Sequence, residues 1–303
     1  MGFYMGRGVP KAGFRMTNKR RAAMANGVSF VKDFTVAKTF IPAAPVVKLT
    51  EAEIEQKLSE KFNAQATMVR ATVAGKNKSM IISGPAGVGK SYGVGQILDN
   101  ATQVYSTFIK GFVRATGLYK TLYEFRNKGS VIVFDDADSI FNDDISLNLL
   151  KAACDTSKKR VISWLSETRM EDEEGERMPR SFEFEGSIIF ITNYDFEDMI
   201  ARGSRLAPHF EALVSRSHYL DLGMKTNDDY VVRIKQVVRE HNMLGDAGFS
   251  SSEENSLIDF IVENQDKLRE LSLRMVLKLA NLMRIDPSDW KSLARSTCFK
   301  HEA

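Results

Sequence analysis

The stretch "IISGPAGVGKSYG", residues 81–93, places three glycines and one lysine within seven consecutive residues. An apolar run precedes these glycines, and the pattern of a helix follows them. Residues 84–91 match G-x-x-x-x-G-K-S in full, at the strand-to-helix junction where such a loop binds phosphate. Glycines let a polyphosphate approach the backbone, whose N–H groups and helix N-terminus attract its charge. The sequence therefore predicts a phosphate-binding loop over residues 84–91, which we call the phosphate loop.

The side chains of this loop indicate a nucleotide polyphosphate and Mg²⁺ as its ligands. Lys90 is expected to reach the β- and γ-phosphates, and Ser91 to offer its hydroxyl to Mg²⁺. A glycine-rich turn without a ligand would leave Lys90 unexplained. The predicted nucleotide-binding residues of this stretch are Gly84, Pro85, Ala86, Gly87, Val88, Gly89, Lys90, Ser91 and Tyr92.

A second group of candidate residues ends another apolar run, "VIVFDDAD" at 131–138. A buried strand that ends in aspartate delivers a fixed carboxylate beside the phosphate loop. Asp135 is predicted to hold Mg²⁺, directly or through water, and Asp136 to orient and deprotonate the attacking water. Asp138 is a candidate to share the role of Asp136. The alternative is that these acids are only solvated at a strand end.

The composition is that of a soluble globular chain with one large domain or two ordinary ones. It has 303 residues, of which 43% are hydrophobic and 27% charged. No apolar stretch approaches the ~20 residues that span a bilayer, so no membrane association is expected. The two cysteines, Cys154 and Cys298, lie far apart, which favours a reducing compartment, the cytoplasm, over a disulfide framework or a zinc site.

The N-terminal segment is strongly basic. Residues 1–38 carry eight Lys or Arg and one acid, Asp33, so this segment has a charge of +7 and the remainder has −4. Residues 1–49 are predicted to be a poorly ordered arm and linker. The arm is either a solubilising tail or a contact for nucleic acid or an acidic partner, and an organelle transit peptide is a third alternative.

The apolar runs after the arm are spaced like the strands of a parallel sheet. They are not alternating and are separated by helical patterns, which is typical of strands covered on both faces. We predict a doubly wound α/β domain with a parallel five-stranded sheet over residues 50–224. The predicted strands are 80–83, 105–111, 131–136, 188–193 and 218–222, and the predicted helices are 50–62, 90–99, 116–127, 145–154 and 195–214.

Only helical patterns follow the last predicted strand, so residues 225–303 are predicted to form a small all-helical domain. Its helical stretches are 227–244, 251–268, 272–285 and 287–299. Capping boxes are expected at Thr50 with Glu53 and at Ser251 with Glu254, and Ser272 is expected to cap the third of these helices.

These motifs together resemble the AAA+ ATPase family over about residues 50–303. The phosphate loop resembles Walker A, and "VIVFDDAD" resembles Walker B. Asn193, at the end of "IIFITN", looks like sensor 1. "ALVSRSHYL" at 212–220 is similar to the Ser-Arg-Cys box of clamp-loader subunits, and "LSLRMVLKLA" at 271–280 looks like sensor 2. Within the family the chain looks most like the short ATPases of tailed phages, which implies the host cytoplasm.

The resemblance implies a Mg²⁺-dependent ATPase that works as a homo-oligomeric ring, with a hexamer as the expected form. ATP would lie between the α/β domain and the helical domain, which would act as a lid. Arg216 would be the arginine finger of the neighbouring subunit's site, and Arg274 would contact the nucleotide. Asn193 would serve catalysis with Asp136.

Each of these assignments has an alternative. Asn193 could instead cap the helix that begins near Asp195. Arg216 could form a surface ion pair, and Arg202 and Arg205 compete with it for the finger role. Arg274 could extend along the lid without contacting nucleotide.

Two further segments are candidates for contact with a substrate. Residues 158–187 alternate in hydrophobicity on either side of an acidic tip, which predicts a β-hairpin inserted before the sensor 1 strand. The acidic tip argues against contact with phosphate, and the alternative is a solvated loop without a substrate. "IKGFVRATGLY" at 109–119 stands near the family's first pore loop, where Phe112, Lys110 and Arg114 could grip an extended chain, unless Phe112 belongs to the core.

The substrate class stays open at this point. DNA loading, replication or recombination is one hypothesis, and protein remodelling is the second. The third is a nucleotide switch with little turnover, which Asp136 favours because many ring ATPases have glutamate there.

Overall fold

The computed structural model describes residues 49–166, 170–171 and 175–301, and from Leu49 onward these residues form one compact unit. The predicted arm and linker therefore lie outside the described residues, except for Leu49. None of the helices in the described part of the chain combines the length and apolar character needed to cross a membrane.

Five strands form one parallel sheet, as predicted. The strands, numbered along the chain, are β1 Ser79–Ser83, β2 Tyr105–Lys110, β3 Ser130–Asp135, β6 Ser187–Thr192 and β7 His218–Asp221. Their spatial order is β2-β3-β6-β1-β7, and every neighbouring pair is parallel. Because all five run the same way, their carboxyl ends meet at one edge, where ligands bind in open α/β sheets.

The three central strands are buried on both faces. Every residue of β1, β3 and β6 is buried, whereas the edge strands β2 and β7 are partly exposed. Neighbouring residues of β1 belong to different hydrophobic clusters: Ile81 packs with Leu118, and Met80 packs with Val69. Two apolar layers therefore cover the sheet, which confirms the doubly wound class predicted from the non-alternating runs.

Three predicted helices around the sheet have wrong boundaries, of which the helix predicted over 116–127 ends three residues early, at Glu124. The first helix continues past Phe62 to Val73, because Gln65, Val69 and Thr72 are buried on it. The predicted helix 195–214 is two helices, interrupted at a turn where Gly203 has φ 66°. The helices of this part are α1 Glu51–Val73, α2 Lys90–Asp99, α3 Ala115–Glu124, α4 Asp144–Ala153, α5 Phe196–Ala201 and α6 Ala207–Val214, with a 3₁₀ turn at Asp138–Phe141.

Four further helices follow the sheet in the described part of the chain, in the order predicted, but the first, second and fourth are shorter than the predicted stretches 227–244, 251–268 and 287–299. They are α7 Asn227–Glu240, α8 Ser251–Glu263, α9 Leu273–Ile285 and α10 Trp290–Cys298, and we call them the lid helices. A hydrophobic cluster that includes Leu257, Phe260 and Leu279 holds them together. The boundary between residues 224 and 225 remains a prediction.

Three helix caps were predicted, one for α1 and two for the lid helices, and the structure confirms two of them. The box of Thr50 with Glu53 is present, and the Ser272 side chain accepts from the Met275 N–H. The third prediction is wrong by one residue, because Ser250 with Glu253 forms the box in place of the pair one residue later. Successive serines and glutamates gave both pairs the same spacing, so the sequence did not distinguish them.

The predicted insertion is a β-hairpin. Its strands, β4 Val161–Ser163 and β5 Ser181–Glu183, are antiparallel and turn Ile162 and Phe182 inward. The ring of Tyr119 on α3 packs against Phe182, with the ring centroids 5.2 Å apart. Residues 172–174 of the predicted acidic tip lie outside the described residues.

Candidate active site

A cavity of about 630 Å³ opens at the carboxyl edge of the sheet, between the phosphate loop, α1 and the lid helices. The loop contributes Ala86, Gly87, Gly89, Lys90 and Ser91 to its lining, and Tyr92 follows them. Asp136, Asn193 and Arg274 reach the same cavity from the sheet and the lid. The structure thus brings most of the predicted site residues together around one space large enough for a nucleotide.

Glycine is required at two positions of the phosphate loop. Gly87 and Gly84 have φ 74° and 152°, in the region that favours glycine. A Cβ added to Gly87 would lie 2.8 Å from the Ser272 Cβ, and one on Gly84 would lie 3.1 Å from the Leu222 Cβ. The loop therefore needs these glycines both for its turn and for close packing against its neighbours.

The Lys90 amine is held by the loop and by the predicted sensor. Its Nζ donates to the carbonyl oxygens of Gly84 at 2.5 Å and Pro85 at 2.8 Å, and to Asn193 Oδ1 at 2.9 Å. Lys90 is buried at the start of α2. Gly84 and Pro85 therefore serve the site through their backbone, and the lysine is fixed at the cavity wall.

Burial lowers the pKa of Lys90 to about 8, and the carboxylates of Asp136 and Asp135 oppose this shift. The nearby charge of Arg274 contributes to lowering it. Arg274 stands in the first turn of α9 and lines the cavity, as expected for a nucleotide contact. A polyphosphate beside these two cations would favour the charged amine.

Asp135 ends the fully buried strand β3 and faces two partners. The Ser91 hydroxyl donates to its Oδ1 at 2.6 Å, and the Lys110 Nζ lies 2.9 Å from its Oδ2. Carboxylate and hydroxyl oxygens suit Mg²⁺, which usually takes one or two carboxylates together with phosphates and water. Asp135 and Ser91 therefore fit the predicted role of holding Mg²⁺.

Lys110 at the end of β2 is a contact that the sequence did not indicate for this site. Its amine competes with any cation for Asp135 Oδ2, so we expect Lys110→Met to lower the Mg²⁺ concentration needed for half-maximal nucleotide binding. The amine is exposed, so a change of about two- to fivefold is expected. A Mg²⁺ titration with a fluorescent ATP analogue measures it.

Lys159→Met is the matched control, since Lys159 pairs with Glu183 at 3.0 Å on the surface of the hairpin. The midpoint for this control should equal that of the unaltered protein. An unchanged or higher Mg²⁺ midpoint for Lys110→Met would contradict the proposed competition.

Asp136 follows in an unusual backbone conformation. Its φ is 53°, a region that non-glycine residues seldom adopt and that is enriched at functional sites. Its N–H donates to the Ile191 carbonyl at 3.0 Å, and its Oδ1 accepts from Asn193 Nδ2 at 2.9 Å. This conformation leaves the carboxylate exposed to the cavity.

Asn193 connects the two motifs, because its oxygen faces Lys90 and its nitrogen faces Asp136. Its alternative role as a helix cap is taken by Asp195, whose side chain accepts from the Asp198 N–H. The side chain of Asn193 is thus available to the cavity.

Asp138 faces a different neighbour. Its Oδ1 accepts from the Thr192 hydroxyl at 2.7 Å, and it does not line the cavity. Burial raises the pKa of Asp138, while the Thr192 hydrogen bond acts against that rise.

Arg216 lies away from its own cavity. It precedes β7, and its carbonyl accepts from the Ser79 hydroxyl at the amino edge of the sheet. Its Nη1 donates to the Ala212 carbonyl at 2.7 Å, and its Nε lies 3.7 Å from Asp155 Oδ1. A whole strand length therefore separates Arg216 from the phosphate loop of its own chain.

The two competing arginines differ in their contacts. Arg202 pairs with Asp198 at 2.8 Å, whereas Arg205 is exposed and has no hydrogen bond or ion pair to any residue that the structure describes.

Sequence reasoning missed Arg233 of α7, which lines the cavity and is 8% exposed. Its Cζ lies 3.3 Å from the centroid of the Phe62 ring, and its Nε donates to the Val88 carbonyl at 3.3 Å. The available signal was an arginine at an inward position of "YVVRIKQVV", between the valine pair 231–232 and Ile234.

Comparison with known proteins gives one clear relative. An uncharacterized 36.7 kDa protein from the nrdC-mobD intergenic region of Enterobacteria phage T4 is 38% identical over 251 residues. The match covers 82% of this chain and 76% of the T4 protein. No protein-family model matches the chain.

Solved structures of low sequence identity are also similar. Domain III of the Thermotoga maritima replication initiation protein DnaA has a TM-score of 0.47 at 12% identity, covering 80% of this chain and 92% of that one. A point mutant of T. maritima RuvB has a TM-score of 0.44 at 14% identity, and the match covers 82% of this chain and 70% of RuvB. NtrX of Brucella abortus in complex with ADP has a TM-score of 0.41 at 15% identity, and the match covers 78% of this chain and 51% of NtrX.

Proposed function

This chain belongs to one family with the T4 protein, and we propose that it is an AAA+ ATPase that hydrolyses ATP as an oligomeric ring. The contact chain from Lys90 through Asn193 to Asp136 carries the proposal. It joins the group that would bind the terminal phosphates to the group that would act on water.

Each residue has a distinct task in this mechanism. The amides of the phosphate loop and Lys90 bind the β- and γ-phosphates, and Arg274 approaches them from the lid. Asp135 and Ser91 would hold Mg²⁺, which when bound neutralises phosphate charge. Asp136 orients the attacking water and accepts its proton, while Asn193 keeps the carboxylate in position.

The site is completed by a neighbouring subunit. Arg216 stands at the sheet edge opposite its own phosphate loop, so a nucleotide that it contacts would be one bound by another copy. An arginine supplied in this way stabilises the charge that develops on the transferred phosphoryl group. To reach the nucleotide of a neighbouring subunit, Arg216 would have to break its ion pair with Asp155 of its own chain. A closed ring, with a hexamer as the expected form, gives every site such a neighbour.

Mixing two inactive variants tests the shared site. Arg216→Ala and Asp136→Asn should each be nearly inactive in ATP hydrolysis, because each removes one half of every site. In a mixture, an Asp136→Asn subunit can supply Arg216 to a site that retains Asp136. We therefore expect the mixture to regain activity well above the sum of the two, measured as phosphate release at subunit concentrations that allow exchange.

Specific activity of the unaltered protein should also fall on dilution, as the ring dissociates. Failure of the mixture to recover activity, with a specific activity independent of concentration, would contradict a site shared between subunits.

We propose DNA as the material on which the ring acts. The support is the basic arm, with a charge of +7 over residues 1–38 against −4 for the remainder. Contacts of lysine and arginine with phosphates weaken steeply with salt. ATP hydrolysis with and without DNA, over a salt series and with residues 1–38 removed, tests this assignment.

Protein remodelling is the second candidate, and one observation favours it. Phe112 follows β2 and is 76% exposed, so its alternative as a core residue is wrong. The Arg114 guanidinium lies 6.0 Å from its ring centroid. An exposed aromatic ring beside a cation can grip an extended polypeptide. If the substrate is a protein, Phe112→Ala would uncouple substrate handling from ATP hydrolysis. If the substrate is DNA, the same substitution would instead change the stimulation of ATP hydrolysis by DNA.

A further inference from the structure

Arg233 is a buried cation without a carboxylate partner. It lies on α7 with 8% exposure, and no Asp or Glu among the described residues comes within ion-pair distance of it. Burial lowers the pKa of its guanidinium to about 10, and the charge of Glu240, which lies beyond ion-pair distance, opposes this shift. A buried charge of this kind is costly unless other groups compensate it.

The compensation comes from α1 and from the phosphate loop. The guanidinium stacks on Phe62 with its Cζ 3.3 Å from the ring centroid, and its Nε donates to the Val88 carbonyl. Its Nη1 lies 3.5 Å from Gln236 Oε1. Gln236 is fixed in turn, because its amide donates to the Glu55 carbonyl at 3.1 Å and to the Ser59 hydroxyl at 2.9 Å. Helices α1 and α7 thus fix the direction of Arg233.

The Val88 carbonyl is the informative contact. A trans peptide points its C=O and its N–H in opposite directions, and no peptide bond in the described part of the chain is cis. When Arg233 holds the Val88 carbonyl, the Gly89 N–H of the same peptide unit faces the other way. Amides turned inward in this manner are what a phosphate loop uses to bind its anion.

The preceding peptide unit is held in the same way. The Leu273 N–H, at the start of α9, donates to the Gly87 carbonyl at 2.8 Å. The Val88 N–H of that peptide unit therefore also points away from the lid. Two successive amides of the phosphate loop are oriented by donors from two lid helices.

We propose that Arg233 is a positioning residue for nucleotide binding, which sets the direction of the Gly89 amide through the Val88 carbonyl and places a positive charge beside the phosphate loop. This inference rests on the proposed binding of ATP. The contact of Arg233 with the phosphate loop would couple two events, the docking of the lid helices and the binding of nucleotide. Each event would favour the other by the same free energy.

A positioning role and a packing role differ in one measurable respect. The loop amides bind the β-phosphate, so loss of their orientation weakens ADP binding far more than AMP binding. Loss of packing between α1 and α7 would instead change the affinities for both nucleotides by the same factor.

Arg233→Gln is the principal test, with equilibrium binding of ADP and AMP measured by calorimetry or by competition with a fluorescent nucleotide. We expect the Kd for ADP to rise about tenfold, which is the size of one charged hydrogen bond, and the Kd for AMP to change less than about twofold.

Lys235→Gln is the matched control. Lys235 lies on the same helix and also contacts α1, through Glu51 at 2.7 Å, but it does not touch the phosphate loop. Both affinities of this variant should stay within about twofold of the unaltered protein. Equal losses for ADP and AMP in Arg233→Gln, or an equal effect of Lys235→Gln, would overturn the proposal.

Phe62→Leu provides a second variant if Arg233→Gln fails to fold. It retains the charge and removes the ring that holds the guanidinium flat. Because Phe62 also lines the cavity, the readout is the ratio of the two Kd values, and ADP is expected to lose about threefold more affinity than AMP. An unchanged ratio in this variant would also overturn the inference. If the unaltered protein bound no nucleotide, the proposed function and this inference would fail together, whereas normal binding that ignores Arg233 would overturn only the inference.

Discussion

Lys90→Ala is expected to weaken ATP binding by about 100-fold. The change removes a buried cation that faces the cavity and three hydrogen bonds that fix it there. Charged hydrogen bonds contribute about 1.5–3 kcal/mol each, and about 2.7 kcal/mol corresponds to this loss. Equilibrium titration with ATP in the presence of Mg²⁺ measures the effect.

Lys57→Ala is the control for this variant, because Lys57 is an exposed lysine of α1 that does not line the cavity. Its ATP affinity should match that of the unaltered protein. A Lys90→Ala protein that is folded and retains full affinity would refute the assignment of residues 84–91 as the nucleotide-binding loop.

Asp136→Asn is expected to reduce the rate of ATP hydrolysis by about 1,000-fold while ATP binding stays within a few fold. The amide cannot accept the proton of the attacking water, and a positioned general base contributes roughly 10²–10⁴ to the rate. Single-turnover phosphate release, measured together with ATP affinity, separates the chemical step from binding.

Asp138→Asn is the comparison for this variant. Its carboxyl group accepts from Thr192 outside the cavity, so a smaller loss of rate is expected. A larger loss in Asp138→Asn than in Asp136→Asn would transfer the base role to Asp138. Tight ATP binding with negligible turnover in the unaltered protein, also with DNA or a protein substrate, would favour the nucleotide switch.

The features that the sequence predicted correctly depend on local patterns. The phosphate loop is a contiguous motif, and its glycines are needed for conformations that can be deduced from the spacing alone. The strands were predictable because β1, β3 and β6 are buried on both faces and so are apolar throughout. The positions of Asp135 and Asn193 then followed, because parallel strands bring their carboxyl ends to one edge.

The features that it missed depend on contacts between distant parts of the chain. Gln65 is a polar residue that looks exposed, yet it donates to the Lys90 carbonyl and is buried in the extended part of α1. Nothing in the local sequence indicates that Lys110 contacts Asp135 or that Arg233 contacts Val88, because only the folded positions of β2 and α7 create these contacts. Such pairings are set by tertiary packing, which local periodicity does not encode.

The most direct measurement is a calorimetric titration of the unaltered protein with ATP in the presence of Mg²⁺, followed by an assay of phosphate release from the same sample. We expect saturable binding of ATP and release of phosphate. Absence of measurable ATP binding by folded protein would contradict the assignment of residues 84–91 as a nucleotide-binding loop.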